Sequence, residues 1–384
     1  MPSDHRVLIT GAGGFIGGRV AEVLHGSGWA QVRAGVRKWA GAARIGRLPV
    51  EIVRCDLADP RQVDAACNGV TAVVQCARAT GPGSEAQLRN LLEAAYRRGV
   101  TRVVHLSTAE VYGAVAGEVD EEHPVGPGQS DYARSKIAAE QVCAEYIARG
   151  LPLVVLRPTI VYGPFSEAYT VRVVERLLSG RWSLPEQSCR GTCNLLYVDD
   201  LVAAIVLALR TDQAVAETFN VNGSERVTWN QYFRALGEPL GAGILDPKGV
   251  LAARVSAWLL QPVRASAHFL LNRQKDRIMA LYERYRLVRR LLRSAESLMR
   301  QVPATGEFSL YSRTAFYVTG KAQRILGYQP TFTMARGIAL SVAWLRHEGY
   351  LRDEGTHLPA DVPERRIEKH VGKPPHADED VFVP

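Results

Sequence analysis

Along the first 160 residues, short continuous apolar runs alternate with longer stretches in which apolar residues return every three or four positions. The runs at 6–10, 31–36, 51–55, 71–76, 102–107 and 153–156 read as strands, and 15–27, 84–98 and 131–149 as helices. Strands as uniformly apolar as Val7-Leu8-Ile9 are covered on both faces, and strands separated by helices run parallel. The prediction is therefore an α/β fold built on a doubly wound parallel sheet over residues 1–165, with 194–221 returning to it through a helix at 201–209 and a strand at 218–221. The rest of 166–350 is less regular and reads as a smaller mixed α/β region. It contains a stretch, 249–301, rich in Leu, Ala and Arg that reads as two or three helices. Residues 355–384 lack periodicity and read as a flexible tail.

Composition narrows this picture modestly. A chain of 384 residues buries a large core. Its apolar run at 201–209 is too short to span a bilayer, and it opens on a strand and glycine turn rather than a secretion leader, so a cytoplasmic protein is expected. The six cysteines are scattered without a histidine cluster, so no metal site is expected and the thiols are read as reduced. The net charge of +8 suits an anionic small molecule, but no nucleic-acid-binding signature accompanies it, so nucleic acid is not expected as a partner.

Candidate chemistry starts at Thr10-Gly11-Ala12-Gly13-Gly14-Phe15-Ile16-Gly17, between a strand and an apolar helix. Gly11 permits a tight turn, Gly14 lets backbone approach a pyrophosphate, and Gly17 lets the helix lie close to the strand, which makes the sheet Rossmann-type. The second strand ends Val36-Arg37-Lys38 with no acid to hold ribose hydroxyls. Arg37 beside a 2′-phosphate favours NADP, with NAD possible if Arg37 and Lys38 are solvated loop charges. Asp56-Leu57 after the third strand suits an adenine contact, or Asp56 is a turn residue or a helix cap before Pro60.

Further on, Leu106-Ser107-Thr108-Ala109-Glu110 closes a strand and Asp131-Tyr132-Ala133-Arg134-Ser135-Lys136 opens a helix. Tyr132 and Lys136, four apart, share a helical face. A nearby ammonium lowers a phenol's pKa, so Tyr132 can take a proton from a substrate hydroxyl while hydride leaves the same carbon for nicotinamide. Thr108 can bond the same oxygen, and Lys136 can also hold the nicotinamide ribose. Such a Tyr–Lys spacing also arises by chance on helix surfaces.

Together these segments resemble the extended short-chain dehydrogenase/reductase family, the NAD-dependent epimerase/dehydratase group. Leu156–Pro164, Asn194–Leu201, Phe219–Val221 and Lys321–Pro330 carry the likeness onward, so that it covers roughly 5–247 and 305–347. The resemblance implies an NAD(P)-dependent epimerase, dehydrogenase or reductase with Thr108, Tyr132 and Lys136 as its catalytic set. It implies cofactor contacts at Gly11, Gly14, Phe15, Ile16, Gly17, Asp56, Leu57 and Ala77, beside Arg37, Tyr132 and Lys136, and a homodimer. Substrate contacts are implied at Thr108, Glu110 and Arg313, the last on the diphosphate of a nucleotide sugar. As a residue reading, Arg313 serves equally as a surface arginine.

Three departures bear on substrate. Ala109 stands where dehydratases of the group carry the Asp of an Asp–Glu pair, which removes the acid for water elimination. Ile160 stands where many nucleotide-sugar enzymes have Asn, which turns the reading toward hydroxysteroid-dehydrogenase-like or flavonol-reductase-like chemistry on a larger apolar substrate. Gln75 replaces the usual His of the fourth-strand motif. A cofactor-sensing protein without catalysis is the remaining alternative, and the intact Thr108, Tyr132 and Lys136 argue against it. The basic segment 252–301, with an Arg excess beside Trp258, Leu259 and Phe269, reads first as a lid or packing helices and second as a membrane-surface contact.

Overall fold

A computed structural model describes residues 5–78, 83–128, 130–178, 189–242 and 305–351. The basic segment at 252–301 and the tail at 355–384 lie outside the described residues.

The apolar runs at the start form strands β1 (Arg6–Thr10), β2 (Gln31–Val36), β3 (Glu51–Arg54), β4 (Ala72–Gln75) and β5 (Arg102–Leu106). After a short strand β6 (Gly117–Val119) come β7 (Leu153–Pro158) and, much later, β11 (Thr218–Val221). Seven strands make one parallel sheet in the order β11-β7-β5-β4-β1-β2-β3. Residues 218–221 thus return to the first sheet, as the pattern of the chain suggests.

Both faces of the sheet are covered, which is why its central strands are apolar at most positions. Val7 and Ile9 face helices α1 (Phe15–Gly26) and α6 (Val198–Arg210), with Val20, Leu24, Leu201 and Ile205 in the same core. Leu8 points to the opposite face, where Val73 and Val103 meet Leu91 of α3 (Ser84–Arg97) and Val142 of α4 (Asp131–Ala148). Helix α2 (Pro60–Cys67) packs beside α3. Arg19 of α1 and Asp199 of α6 pair at 2.6 Å, fixing the two helices of the first face together.

The less regular part builds a second layer over the carboxyl ends of β5 and β7. Strands β8 (Ile160–Tyr162) and β10 (Leu195–Tyr197) form a parallel pair, and β9 (Thr192–Cys193) pairs antiparallel with β12 (Val227–Thr228). Helices α5 (Arg172–Leu178), α7 (Trp229–Gly237), α8 (Thr305–Tyr311), α9 (Gly320–Leu326) and α10 (Met334–His347) complete it. Trp229, Phe233 and Tyr311 pack ring to ring between α7 and α8. Strand β13 (Ala315–Tyr317) runs parallel to β6, which brings the C-terminal part back against the catalytic strand ends.

No helix among the described residues is long and apolar enough to cross a membrane. All six cysteines are free thiols.

Candidate active site

At the carboxyl end of β1 the chain turns sharply, and Gly11 takes φ 67°, a left-handed conformation that suits glycine. A Cβ on Gly11 would lie 2.7 Å from the Cα of Ala77, and one on Gly17 would lie 2.4 Å from the Gly11 carbonyl oxygen. The turn therefore sits directly against the end of β4, and α1 against the turn. Gly14 is the N-cap of α1 and no side chain bonds the first N–H groups. Phe15 and Ile16, half-buried, open that helix. Uncapped N–H groups at the positive end of a helix suit a pyrophosphate, and the missing Cβ atoms leave the backbone accessible to it. A Cβ on Gly13 would fall 2.0 Å from the Gly41 carbonyl oxygen, so the turn at Trp39–Ala42 closes over the same loop. The cradle fits a dinucleotide.

Near the expected adenosine end, Arg37, Lys38 and Arg54 are exposed at the ends of β2 and β3, and no ion pair among the described residues engages them. Arg33 instead points inward, pairs with Glu51 at 2.8 Å and donates to the Ala66 and Asn68 carbonyls. Asp56 accepts the Ala58 N–H through Oδ1 at 3.1 Å, so it closes a turn. The cap of α2 is Asp59, which accepts from the Arg61 and Gln62 N–H groups. Leu57 is only 5 % exposed and belongs to the core between α2 and α3.

The three residues expected to be catalytic converge where β5 ends. Thr108 follows that strand, close enough to the Tyr132 phenol in the first turn of α4 to bear on its ionisation. Ser130 caps α4 by accepting the Ala133 N–H at 3.0 Å, which fixes where Tyr132 starts the helix. Burial raises the Tyr132 pKa, opposed by the Thr108 hydrogen bond and by the positive charge of Arg78. The Arg78 guanidinium lies 5.0 Å from the centre of the Tyr132 ring. Lys136, one turn on, donates to the Leu106 carbonyl at 2.6 Å, and burial lowers its pKa to about 8. The expectation that Lys136 lowers the phenol pKa thus differs from the structure: the ammonium is turned to the strand end, and Arg78 is the cation felt by the ring.

Under the trio lies a buried ionic platform. Ser107 donates to the Glu140 carboxylate, which binds Arg157 at 2.6 Å with both side chains largely buried. Arg157 donates to the Tyr112 hydroxyl at 2.8 Å, and that hydroxyl donates to Asn220 at 2.7 Å. Strand ends β5, β7 and β11 and helix α4 are locked in register by this chain of bonds. Gln75 donates to the Ala77 carbonyl at 2.8 Å, steadying the residue against which Gly11 packs.

On the outer side, Glu110 and Arg313 meet at 2.7 Å across 203 residues, and the Arg313 Nε is buried without a partner. Tyr169 sits within electrostatic reach of Glu110, Tyr132 and Arg313, and burial holds its phenol above the ordinary range. Ala109 is buried at the start of the turn after Thr108, and Ile160 opens β8. Sequence reasoning missed three contributors: Arg78, Tyr169 and the Glu140–Arg157 pair. Arg78 was findable, because it directly follows Ala77 in the fourth-strand motif. Tyr169 lies in an irregular π-helical turn, Glu167–Val171, that leaves no periodic signal. Among the described residues no His, Cys, Asp and Glu cluster suits a metal ion.

A model of the NAD dependent epimerase/dehydratase family matches residues 7–222, more than half of the chain. The chain is 31% identical over 268 residues to a dTDP-glucose 4,6-dehydratase of Streptomyces antibioticus, covering 63% of this chain and 79% of that one. It is 28% identical over 361 residues to sterol demethylase protein B of Methylococcus capsulatus, covering 90% of this chain and 99% of that one. Its fold is similar to that of a UDP-glucuronic acid 4-epimerase from Bacillus cereus solved in complex with NAD, with a TM-score of 0.65, 18% identity, and coverage of 89% and 99%. The glycine cradle, the Thr108–Tyr132–Lys136 convergence and the family match describe one kind of molecule: the chain is an enzyme and belongs to the NAD dependent epimerase/dehydratase family.

Proposed function

We propose that the protein moves hydride between NAD(P) and a secondary carbinol or its ketone, with Tyr132 handling the hydroxyl proton and NADP as the preferred cofactor. The observation that carries this reading is that Lys136, one turn after Tyr132 on α4, bonds the Leu106 carbonyl at the end of β5, two residues before Thr108, on the side of the glycine cradle. Gly11, Gly14 and Gly17 would hold the pyrophosphate, with Phe15, Ile16 and Ala77 beside it, and Asp56, Leu57 and Arg37 at the adenosine end. The bound nicotinamide supplies the hydride acceptor or donor. In the oxidative direction Tyr132, as phenolate, accepts the proton of the substrate hydroxyl, and Thr108 fixes that oxygen. In this reading Lys136 holds the nicotinamide ribose, and Arg78 is the positive charge beside the phenol. Arg37, Lys38 and Arg54, exposed and in no ion pair among the described residues, support a 2′-phosphate contact. The known structure of similar fold holds NAD, so a tenfold or greater preference for NAD in binding overturns the NADP part of the reading.

Two substrate classes are in play. A nucleotide sugar is suggested by the dehydratase relative, whose own name is a dTDP-glucose enzyme, and by an Arg313 that could reach a diphosphate. Water elimination is not proposed, because Ala109 carries no acid. A larger, mostly apolar carbinol is favoured by a separate observation: Arg313 is already engaged by Glu110, and Ile160 offers no polar group at β8. The near full-length alignment with sterol demethylase protein B points the same way. The same reading makes the protein a cytoplasmic homodimer, which sedimentation velocity of the purified chain checks for oligomeric state.

Incubation with UDP-, GDP- and dTDP-sugars and with hydroxysteroids, with and without NADP, separates the classes. Conversion without net change at the nicotinamide absorbance band identifies an epimerase, and stoichiometric change identifies an oxidoreductase. Tyr132→Phe abolishes either activity; full turnover in that variant overturns the mechanism.

A further inference from the structure

Arg44 stands on the loop that leaves β2, just before the short turn Ile45–Arg47, and every nitrogen of its guanidinium is engaged on α1. Nη1 donates to the Phe15 carbonyl at 3.0 Å and to the Gly14 carbonyl at 3.4 Å. Nε and Nη2 each donate to Glu22 Oε1 at 3.1 Å, further along the same helix. Gly18 leaves the gap in which the group lies, since a Cβ there would stand 3.0 Å from the Arg44 Cζ and Nε. The Phe165 ring covers the group, its centre 3.8 Å from Cζ, and only 11% of the Arg44 side chain is exposed. Glu22 also accepts from Arg19 and Arg47, and Arg19 pairs with Asp199, so three guanidinium groups meet two carboxylates and leave one positive charge beside the start of α1.

What stands at the other end of the two bonded peptide groups gives these contacts their meaning. The peptide that carries the Gly14 carbonyl carries the Phe15 N–H, and the peptide that carries the Phe15 carbonyl carries the Ile16 N–H. Those are the first two N–H groups of α1, and no side chain caps them. Helical carbonyl and N–H groups point in opposite directions along the axis, so a cation on the oxygens polarises both amides toward the glycine turn. The same loop presses on that turn through the Gly41 carbonyl, which would lie 2.0 Å from a Cβ on Gly13.

We propose that Arg44 is a positioning residue for the cofactor diphosphate: it fixes the first turn of α1 and strengthens the Phe15 and Ile16 N–H groups as donors, without touching the phosphates itself. This rests on the reading of the glycine turn as a pyrophosphate cradle. A guanidinium suits the task because its fork spans two carbonyls and a carboxylate at once, which a lysine ammonium does not.

The test uses the full chain and ligands with and without a diphosphate. NADP, 2′-phospho-ADP-ribose, NAD and ADP-ribose carry it; adenosine 2′-monophosphate and adenosine do not. Dissociation constants come from calorimetry, or from ligand-observed NMR for the weaker nucleoside probes. Arg44→Ala raises Kd for the diphosphate ligands by about tenfold, the scale of a charge acting at a helix terminus, and leaves the other two unchanged. Arg19 and Arg47 still pair with Glu22 in that variant, so the chain is expected to fold. Arg44→Lys shows the same split at smaller size, and it carries the test alone if Arg44→Ala does not fold. Equal losses for ligands with and without the diphosphate overturn the assignment, because a merely structural role moves both. So does full affinity for the diphosphate ligands in Arg44→Ala or in Arg44→Lys. Wild-type binding of the diphosphate ligands without the split removes this inference and leaves the cradle standing. Failure of the wild type to bind any of them removes both.

Discussion

Lys136 illustrates how a single residue is poised by its surroundings. Its ammonium is buried, bonded to one carbonyl and flanked by the charge of Arg78, and its pKa falls to about 8 from an ordinary 10.5. The form that can hold a ribose hydroxyl as a cation is the protonated one, and it is lost as pH rises through about 8. NADP binding to the free enzyme should therefore weaken above that pH, which a fluorescence titration measures. In Lys136→Arg the charge persists, so the fall in affinity near pH 8 disappears; an unchanged profile contradicts the role. Stability has the opposite sign. Between about 8 and 10.5 the unfolded chain binds a proton that the folded chain does not, so this group's contribution to stability increases with pH there. Affinity and stability thus separate the functional role of Lys136 from a structural one.

At the scale of elements, the glycine turn shows why close packing and binding coincide. Gly17→Ala places a methyl 2.4 Å from the Gly11 carbonyl oxygen, against backbone that cannot step aside. Overpacking of this kind costs about 1–3 kcal/mol. A lowered melting temperature together with weakened NADP binding is expected, and thermal unfolding with and without cofactor measures both. Val7-Leu8-Ile9 made β1 legible, because a strand covered on both faces is apolar at every position. Residues 218–221 were readable as a strand, and they join β7 in the sheet. Other boundaries follow physics that a periodicity hides. The helix expected at 201–209 begins at Val198, because Asp199 and Asp200 occupy its first turn and the buried Asp200 accepts the Thr331 and Phe332 N–H groups. Helix α2 went unassigned, since either Asp56 or Asp59 offers a cap and only the folded geometry selects Asp59. Helix α7 carried a readable signal, a Thr228–Gln231 capping box. Spacing and context singled out Thr108, Tyr132 and Lys136, and the structure brings these three to the end of β5. The motif that holds Ala77 put Arg78 within reach of a reader, but its contact with the Tyr132 ring, 54 positions away, leaves no local pattern.

Over the whole molecule, the site divides into two halves with different attachments. The cofactor half is built from the strand ends and turns of the seven-stranded sheet. The substrate half depends on the chain returning through β13 to β6 and on the Glu110–Arg313 pair. Arg313→Ala should therefore raise KM for substrate and leave the NADP dissociation constant unchanged, which separate binding and steady-state measurements resolve. Equal losses on both sides would show that the two halves are not independent. The basic segment at 252–301 lies outside the described residues. Its reading as a lid or packing element predicts no co-sedimentation of the protein with anionic liposomes at low salt.

The pair between Glu110 and Arg313 also sets an order of assembly during synthesis. Chains emerge from the ribosome N-terminal part first and fold largely in that order. The glycine turn, Thr108, Tyr132 and Lys136 are all exposed to the cell well before Arg313 is made, since 203 residues separate it from its partner. A nascent chain therefore meets dinucleotide before it owns a complete substrate wall. Residues 108–136 are thus written before Arg313, and the wall that Glu110 and Arg313 form closes only once the chain has reached residue 313.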